Sequence, residues 1–159
     1  MEFFTIGVYN STEDVFFQKL VENRIDLFCD IRQRRGVRGS KYAFVNSNRL
    51  QQKLNDLEIK YGYIPELAPT TEIRELQKEI DLEKGELKSE RTQLGNVFVI
   101  EYKNKILNRF DFDNLLENLD RAGASKIAFF CVEEHAEACH RSLVANKLRE
   151  KYNYIVTDL

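Results

Sequence analysis

The sequence predicts an α/β fold: three layers, with a mainly parallel sheet of four to five strands and helices on both faces. Three observations predict it. Short β-rich apolar runs alternate with longer segments whose apolar residues recur at helical spacing, the pattern of βαβ units. Two of the runs, Ile25 to Ile31 and Ile127 to Val132, are apolar almost throughout, as strands covered on both faces are. Both runs end in polar clusters, Asp30-Ile-Arg32 and Cys131-Val-Glu133, as strands do where an open sheet presents its ligand edge.

The first strand is the uncharged run Phe3 to Tyr9. Ser11 and Asp14 then stand at capping-box spacing, so a helix starts there, with Val15, Phe16, Leu20 and Val21 on one broad face. Ile25 to Ile31 is the second strand. A loop follows in which Arg32, Arg34, Arg35, Arg38 and Lys41 crowd around Gly36 and Gly39. Asn46 or Ser47 caps a helix that carries Leu50, Leu54 and Leu57. Tyr61 to Ile64 reads as a third strand, stopped by Pro65.

From Thr70 to Arg91 the chain is strongly charged. Ile73, Leu76, Ile80, Leu87 and Leu94 keep heptad spacing, but Glu83 and Glu90 interrupt the seam and Gly85 breaks it. The expected result is a surface helix lightly packed on its own domain. Val97 to Tyr102 suits a strand by β-branching and a helix by the spacing of Phe98, Tyr102 and Ile106; helix is the reading taken. Asp111 or Asp113 starts the next helix and Gly123 stops it. The strand Ile127 to Val132, a helix from about Ala138 to Lys151, and a last strand Tyr154 to Thr157 complete the pattern.

Composition sets the bounds on function. The 159 residues suit a single domain spanning 1–159, with a charged helical insertion at about 68–94. With 43% hydrophobic and 31% charged residues the chain is too apolar for a disordered one. A net charge of −2 advertises neither nucleic acid nor membrane, so any basic site must be local. No apolar run approaches a membrane span, and Met1-Glu-Phe-Phe-Thr5 lacks the flanks of a signal peptide. Three cysteines, an odd number without framework spacing, point to reduced thiols and a cytoplasmic location.

Two of those cysteines and both histidines fall within ten consecutive positions, Cys131 to His140. In a parallel sheet the strand ends share one edge, so Asp30, Arg32, Cys131 and Glu133 should gather beside the helix start carrying Cys139, His140 and Arg141. Unpaired N–H groups at that helix end, with Arg141 and Ser142, suit an anion. The loop arginines Arg32, Arg34, Arg35 and Arg38 suit phosphate or carboxylate. Cys139, near a helix N-terminus and Arg141, is the expected reactive thiol; Cys131, leaving an apolar strand, should be shielded, and Cys29 is packing. His140 should point its ring away from its neighbour Cys139. Asp30 and Glu133 are a candidate acid–base pair that arginines would hold ionised. Cys131, His135, Cys139 and His140 could supply metal ligands, but adjacent Cys139 and His140 sit awkwardly on one ion. No metal and no other cofactor is therefore expected.

Thr5-Ile-Gly7 before a capped helix, Asp30-Ile-Arg32 with its basic loop, Tyr63-Ile-Pro65-Glu66-Leu67, Cys131-Val-Glu133 and Cys139-His140-Arg141-Ser142 occur in one order along the chain. Together they resemble the domain of unknown function 488 family, small prokaryotic α/β proteins. The departures are the charged segment from about Ala68 to Leu94, and Val8-Tyr9-Asn10, where the family more often has an aromatic or His followed by Ser after the glycine. The resemblance implies the fold and the site and assigns no reaction.

Three functional readings follow. One is an enzyme acting on a phosphorylated or nucleotide-like substrate, with arginines for binding and Cys139, Cys131, His140, Glu133 and Asp30 for chemistry. Another is a non-catalytic nucleic-acid-binding module, with Tyr42 and Phe44 exposed beside a basic stripe. In the third, Asp30, Arg32, Glu133 and Arg141 form a structural ion network without a ligand. The expected partner is an anionic small molecule or a nucleic acid, with no membrane, and self-association is expected to run through the 70–94 segment.

Overall fold

A computed structural model describes residues 1–159. Five strands, β1 (Glu2–Ile6), β2 (Leu27–Asp30), β3 (Lys60–Tyr63), β4 (Lys126–Phe130) and β5 (Val156–Asp158), form one sheet in the order β3-β2-β4-β1-β5. Every pairing is parallel, with Phe3 opposite Ile127 and Cys29 opposite Phe129. Six helices connect the strands: α1 (Glu13–Glu22), α2 (Ser47–Asp56), α3 (Thr71–Lys84), α4 (Asn96–Tyr102), α5 (Phe112–Arg121) and α6 (His140–Tyr152).

Alternation along the strands divides the core in two. Phe4, Ile6, Phe28 and Phe130 face α1 and α2, meeting Phe16, Leu20, Leu50 and Leu54. Phe3, Cys29, Ile127 and Phe129 face the other way, onto Phe98, Leu116, Leu119, Val144 and Leu148 of α4, α5 and α6. Both faces of the sheet are thus covered, which is why the inner strands can be apolar at every position. No helix is long and apolar enough to cross a membrane.

Local chemistry sets most helix ends. Thr12, one residue after the expected Ser11, accepts from the Val15 N–H at 3.3 Å and starts α1. Thr70 and Asp111 cap α3 and α5 in the same way. Asn46 precedes α2, but its side-chain oxygen accepts from Val37 N–H at 2.7 Å and so ties down the basic loop. Val97 to Tyr102 lies within α4, where Phe98 and Tyr102 are the buried pair at i, i+4 spacing.

The heptad seam does not form. α3 ends at Gly85, whose φ of 64° is left-handed, so Leu87 lies past the helix and is exposed. The stripe that α3 buries is Ile73, Gln77 and Asp81 instead. Two of those three are polar, which rules out a simple apolar seam and points to partners nearby.

Candidate functional site

The chain crosses the sheet in one direction through β3 and returns through β4 and β5, and such reversals leave a crevice at the strands' C-terminal ends. β2 brings Asp30 and Arg32 there. Arg32 donates through Nε to Asp30 Oδ1 at 2.9 Å and through Nη2 to Oδ2 at 2.7 Å, and Tyr61 donates to the same Oδ2 at 2.9 Å. Asp30 is fully buried and has no capacity left for a substrate. Of the candidate acid–base pair Asp30 and Glu133, Asp30 is thus held by an arginine. Arg32, 3% exposed, lies over the Phe130 ring, and its Nη1 is buried with no partner.

β4 and α6 supply the second half. After Phe130 the chain passes Cys131, Val132 and Glu133, makes a short 3-10 turn at Ala136–Ala138, and enters α6 at His140 with Cys139 as its N-cap. Arg141 points back under this loop. It donates to Glu133 O at 2.6 Å, to Glu134 O at 2.7 Å and to Thr5 Oγ1 at 3.3 Å. Ser142 donates to Cys139 O at 2.9 Å. Both residues bond to backbone carbonyls, and neither lines the cavity at these strand ends. Gly7 allows the arrangement: a Cβ there would lie 1.9 Å from Glu133 O.

His140 departs from expectation. Its Nε2 lies 3.0 Å from Ile31 O, and its Nδ1 lies 3.6 Å from Cys139 Sγ. A carbonyl only accepts, so Nε2 carries the hydrogen and Nδ1 faces the thiol. Cys139 is the N-cap, still extended at φ −137° and ψ 147°, and this half-step outside the helix lets the adjacent side chains turn to one side. Cys131 Sγ joins them: the three ligand atoms lie within 4.8 Å of one another. Adjacent Cys139 and His140, awkward to place on one centre from the sequence, thus do come together. His135, also considered as a ligand, is exposed and outside the group.

The charged segment supplies a third element, which sequence reasoning missed. Arg91 is 6% exposed and meets Asp81 Oδ2 at 2.8 Å, Glu133 Oε1 at 3.2 Å and Ala138 O at 2.9 Å. One guanidinium thus joins α3, the end of β4 and the turn before α6. Lys88 Nζ lies 3.2 Å from the same Glu133 Oε1. Nearly half of the Lys88 side chain is open to solvent, but its ammonium end is turned in among protein atoms. The sequence signal for this element is the i, i+4, i+8 spacing of Ile73, Gln77 and Asp81, a buried stripe in which two places are polar.

These elements line a half-open cavity of about 560 Å³. Arg32, Arg34, Arg38, Lys88 and Arg91 line it with Glu133, Cys131, Cys139 and His140. Arg35 does not: it stacks on Tyr63 at 4.3 Å. Phe44 is buried in the core and offers no stacking surface. Burial pushes the Glu133 carboxyl upward, but Lys88, the Cys139 thiol and Arg91 outweigh it and hold the group well below the carboxylate range. Its Oε2 is buried without a partner. Cys131 is raised well above an ordinary thiol by its hydrogen bond with Cys139 and by desolvation. Burial lowers His140, yet the neighbouring Cys131 and Glu133 leave it raised overall.

A family model described as "Domain of unknown function DUF488" matches residues 12–148, a span that runs from the cap of α1 into α6 and includes every residue of the cavity but Tyr9. No curated protein and no solved structure matches the chain.

Proposed function

The chain belongs to the DUF488 family, and from that premise we propose that its strand-end cavity binds a phosphate-bearing small molecule of nucleotide size. One observation carries the reading: Arg32, buried and lining the cavity, keeps Nη1 without a partner. A buried guanidinium N–H left unpaired in a protein of this kind calls for an acceptor from outside. Arg34 and Arg38 stand at the same wall with no acid bonded to them, so they add charge that nothing in the fold neutralises. The volume falls within the roughly 300–1,000 Å³ of small-molecule sites.

Glu133 gives the ligand a second requirement. Its free Oε2 accepts a hydrogen bond, and its low proton affinity makes it an acceptor for a ligand N–H or O–H, not a proton store. A molecule with phosphate at one end and hydrogen-bond donors at the other satisfies both atoms. Cys139 and His140, beside Glu133, are the groups positioned to react with it. The nucleic-acid module is the weaker alternative, because Phe44 lies in the core and offers no base a stacking surface.

Calorimetric titration with inorganic phosphate, pyrophosphate, nucleoside phosphates and oligonucleotides across a salt series tests this. A nucleoside phosphate should bind, with affinity reduced at least tenfold in an Arg34→Ala, Arg38→Ala double variant. Equal affinity in wild type and variant, or binding only to long oligonucleotides with a steep salt slope, would overturn it.

A further inference from the structure

We propose that Cys131, Cys139 and His140 form a zinc-type metal site in the cavity wall, with one coordination position open to the cavity. It shares the cavity of the proposed function, but its ligand atoms are two thiols and an imidazole nitrogen, whereas that reading is carried by Arg32 Nη1.

The geometry is the first argument. Zinc binds thiolate at about 2.3 Å and imidazole at about 2.0–2.1 Å, so two ligands of a tetrahedral ion lie roughly 3.6 Å apart. Cys139 Sγ and His140 Nδ1 lie 3.6 Å apart, and Cys131 Sγ completes a triangle with no edge above 4.8 Å. All three residues are buried, so ions held by loose surface donors are not the comparison.

The second argument is the imidazole's other nitrogen. The Nε2–H bond to Ile31 O fixes the ring plane and, in neutral imidazole, leaves the lone pair on Nδ1, which faces both thiols. Metal-bound histidines are held by a carbonyl or carboxylate in this way. The third argument is charge. Loss of a proton from each of two thiols cancels the two charges of the ion, so the loaded site is neutral and can remain buried. Written out, a divalent ion plus two thiols gives a dithiolate complex and two released protons.

Three protein donors leave a tetrahedral ion one position short, the arrangement of reactive centres as opposed to structural ones. Glu133 lies outside the donor triangle yet beside Cys139, with Oε2 unpartnered. It is placed to accept a hydrogen bond from whatever fills the open position. The softness of two sulfurs favours zinc over magnesium or calcium.

The test uses the full chain, stripped with chelator, kept reduced with a phosphine and free of phosphate. It is titrated with zinc alone against a chromophoric chelator, and with cobalt(II) for its spectrum. About one equivalent should bind, with two protons released for each zinc, tetrahedral cobalt bands and a thiolate charge-transfer band. Cys131→Ser, Cys139→Ser and His140→Gln should each weaken zinc at least tenfold, and Cys29→Ser should not. No uptake by the wild type, an octahedral cobalt spectrum without the thiolate band, or unchanged affinity in the variants would overturn the site. Should His140→Gln fail to fold by circular dichroism, the wild-type cobalt spectrum and the serine variants decide. Phosphate binding by metal-free protein is scored separately: anion binding with no zinc uptake sinks this inference alone, and zinc uptake with no anion binding sinks the other alone.

Discussion

Two stretches bring cations to the same cavity by opposite routes. The loop after β2 offers Arg34 and Arg38, which are exposed and bonded to no acid. The segment between α3 and α4 offers Arg91, buried between Asp81, Glu133 and a backbone carbonyl. Both look alike in sequence, as basic residues in polar surroundings. Their physics differs: the charge of the first pair has no acid partner in the fold, whereas Arg91 has its charge matched there. Arg32 stands between the two, with four of its donor contacts made at home and Nη1 left over.

If that contrast holds, Arg91→Ala should be the most damaging change. It would leave Asp81 and Glu133 buried without their shared cation, at a cost of about 3–5 kcal/mol. Urea unfolding of the variant measures it; a loss below about 1 kcal/mol would mean that Arg91 is another surface charge and would erase the distinction.

A change of pH probes the interior beneath both stretches. Burial raises the Cys29 thiol from 9.0 to about 12, with Asp30 adding to the shift. The unfolded chain releases that proton first, so above pH 9 the unfolded state gains and the folded state loses stability. The loss should be on the order of 1 kcal/mol per pH unit and continue until the folded thiol also ionises. Chemical denaturation of wild type and Cys29→Ala between pH 8 and 11 isolates this contribution: the stability advantage of the wild type should shrink steadily above pH 9. A constant difference between the two would show that Cys29 is not shielded.

The smallest stability effect belongs to Arg34→Ala with Arg38→Ala. Removing exposed, unpaired charges should shift unfolding by no more than about 0.5 kcal/mol while lowering phosphate affinity. A destabilisation of several kcal/mol would place these arginines in the same structural role as Arg91.

The sheet was legible because its signals are local. β2 and β4 are apolar runs with polar ends, α5 has Asp111 as cap, and Phe98 and Tyr102 recur at helical spacing. Boundaries moved by one to three residues, most clearly at β1, which ends at Ile6 and not Tyr9, because pairing with β4 and not composition sets a strand's ends. Part of the cavity was legible for the same reason: Arg32, Cys131, Glu133, Cys139 and His140 all stand at ends of strongly patterned elements. Arg91 and Lys88 were not. In a run of Glu and Lys, nothing in the sequence marks which charge folds back across 42 positions to Glu133. The turn of His140 towards Cys139 was hidden too, since it depends on the extended backbone of a cap residue and on a carbonyl from a distant strand.

The missing side chain at Gly7 reaches beyond its own turn. Any larger residue would displace the Glu133 carbonyl, and with it the loop that Arg141 holds by two bonds. Position 7 thus governs how far this architecture tolerates drift. At the cavity rim, Arg34 and Arg38 make no bond to an acid of the fold and can vary with the scaffold unaffected. The contact between residues 7 and 133 admits almost no alphabet at all, and a redesign that varies the rim should leave that contact untouched.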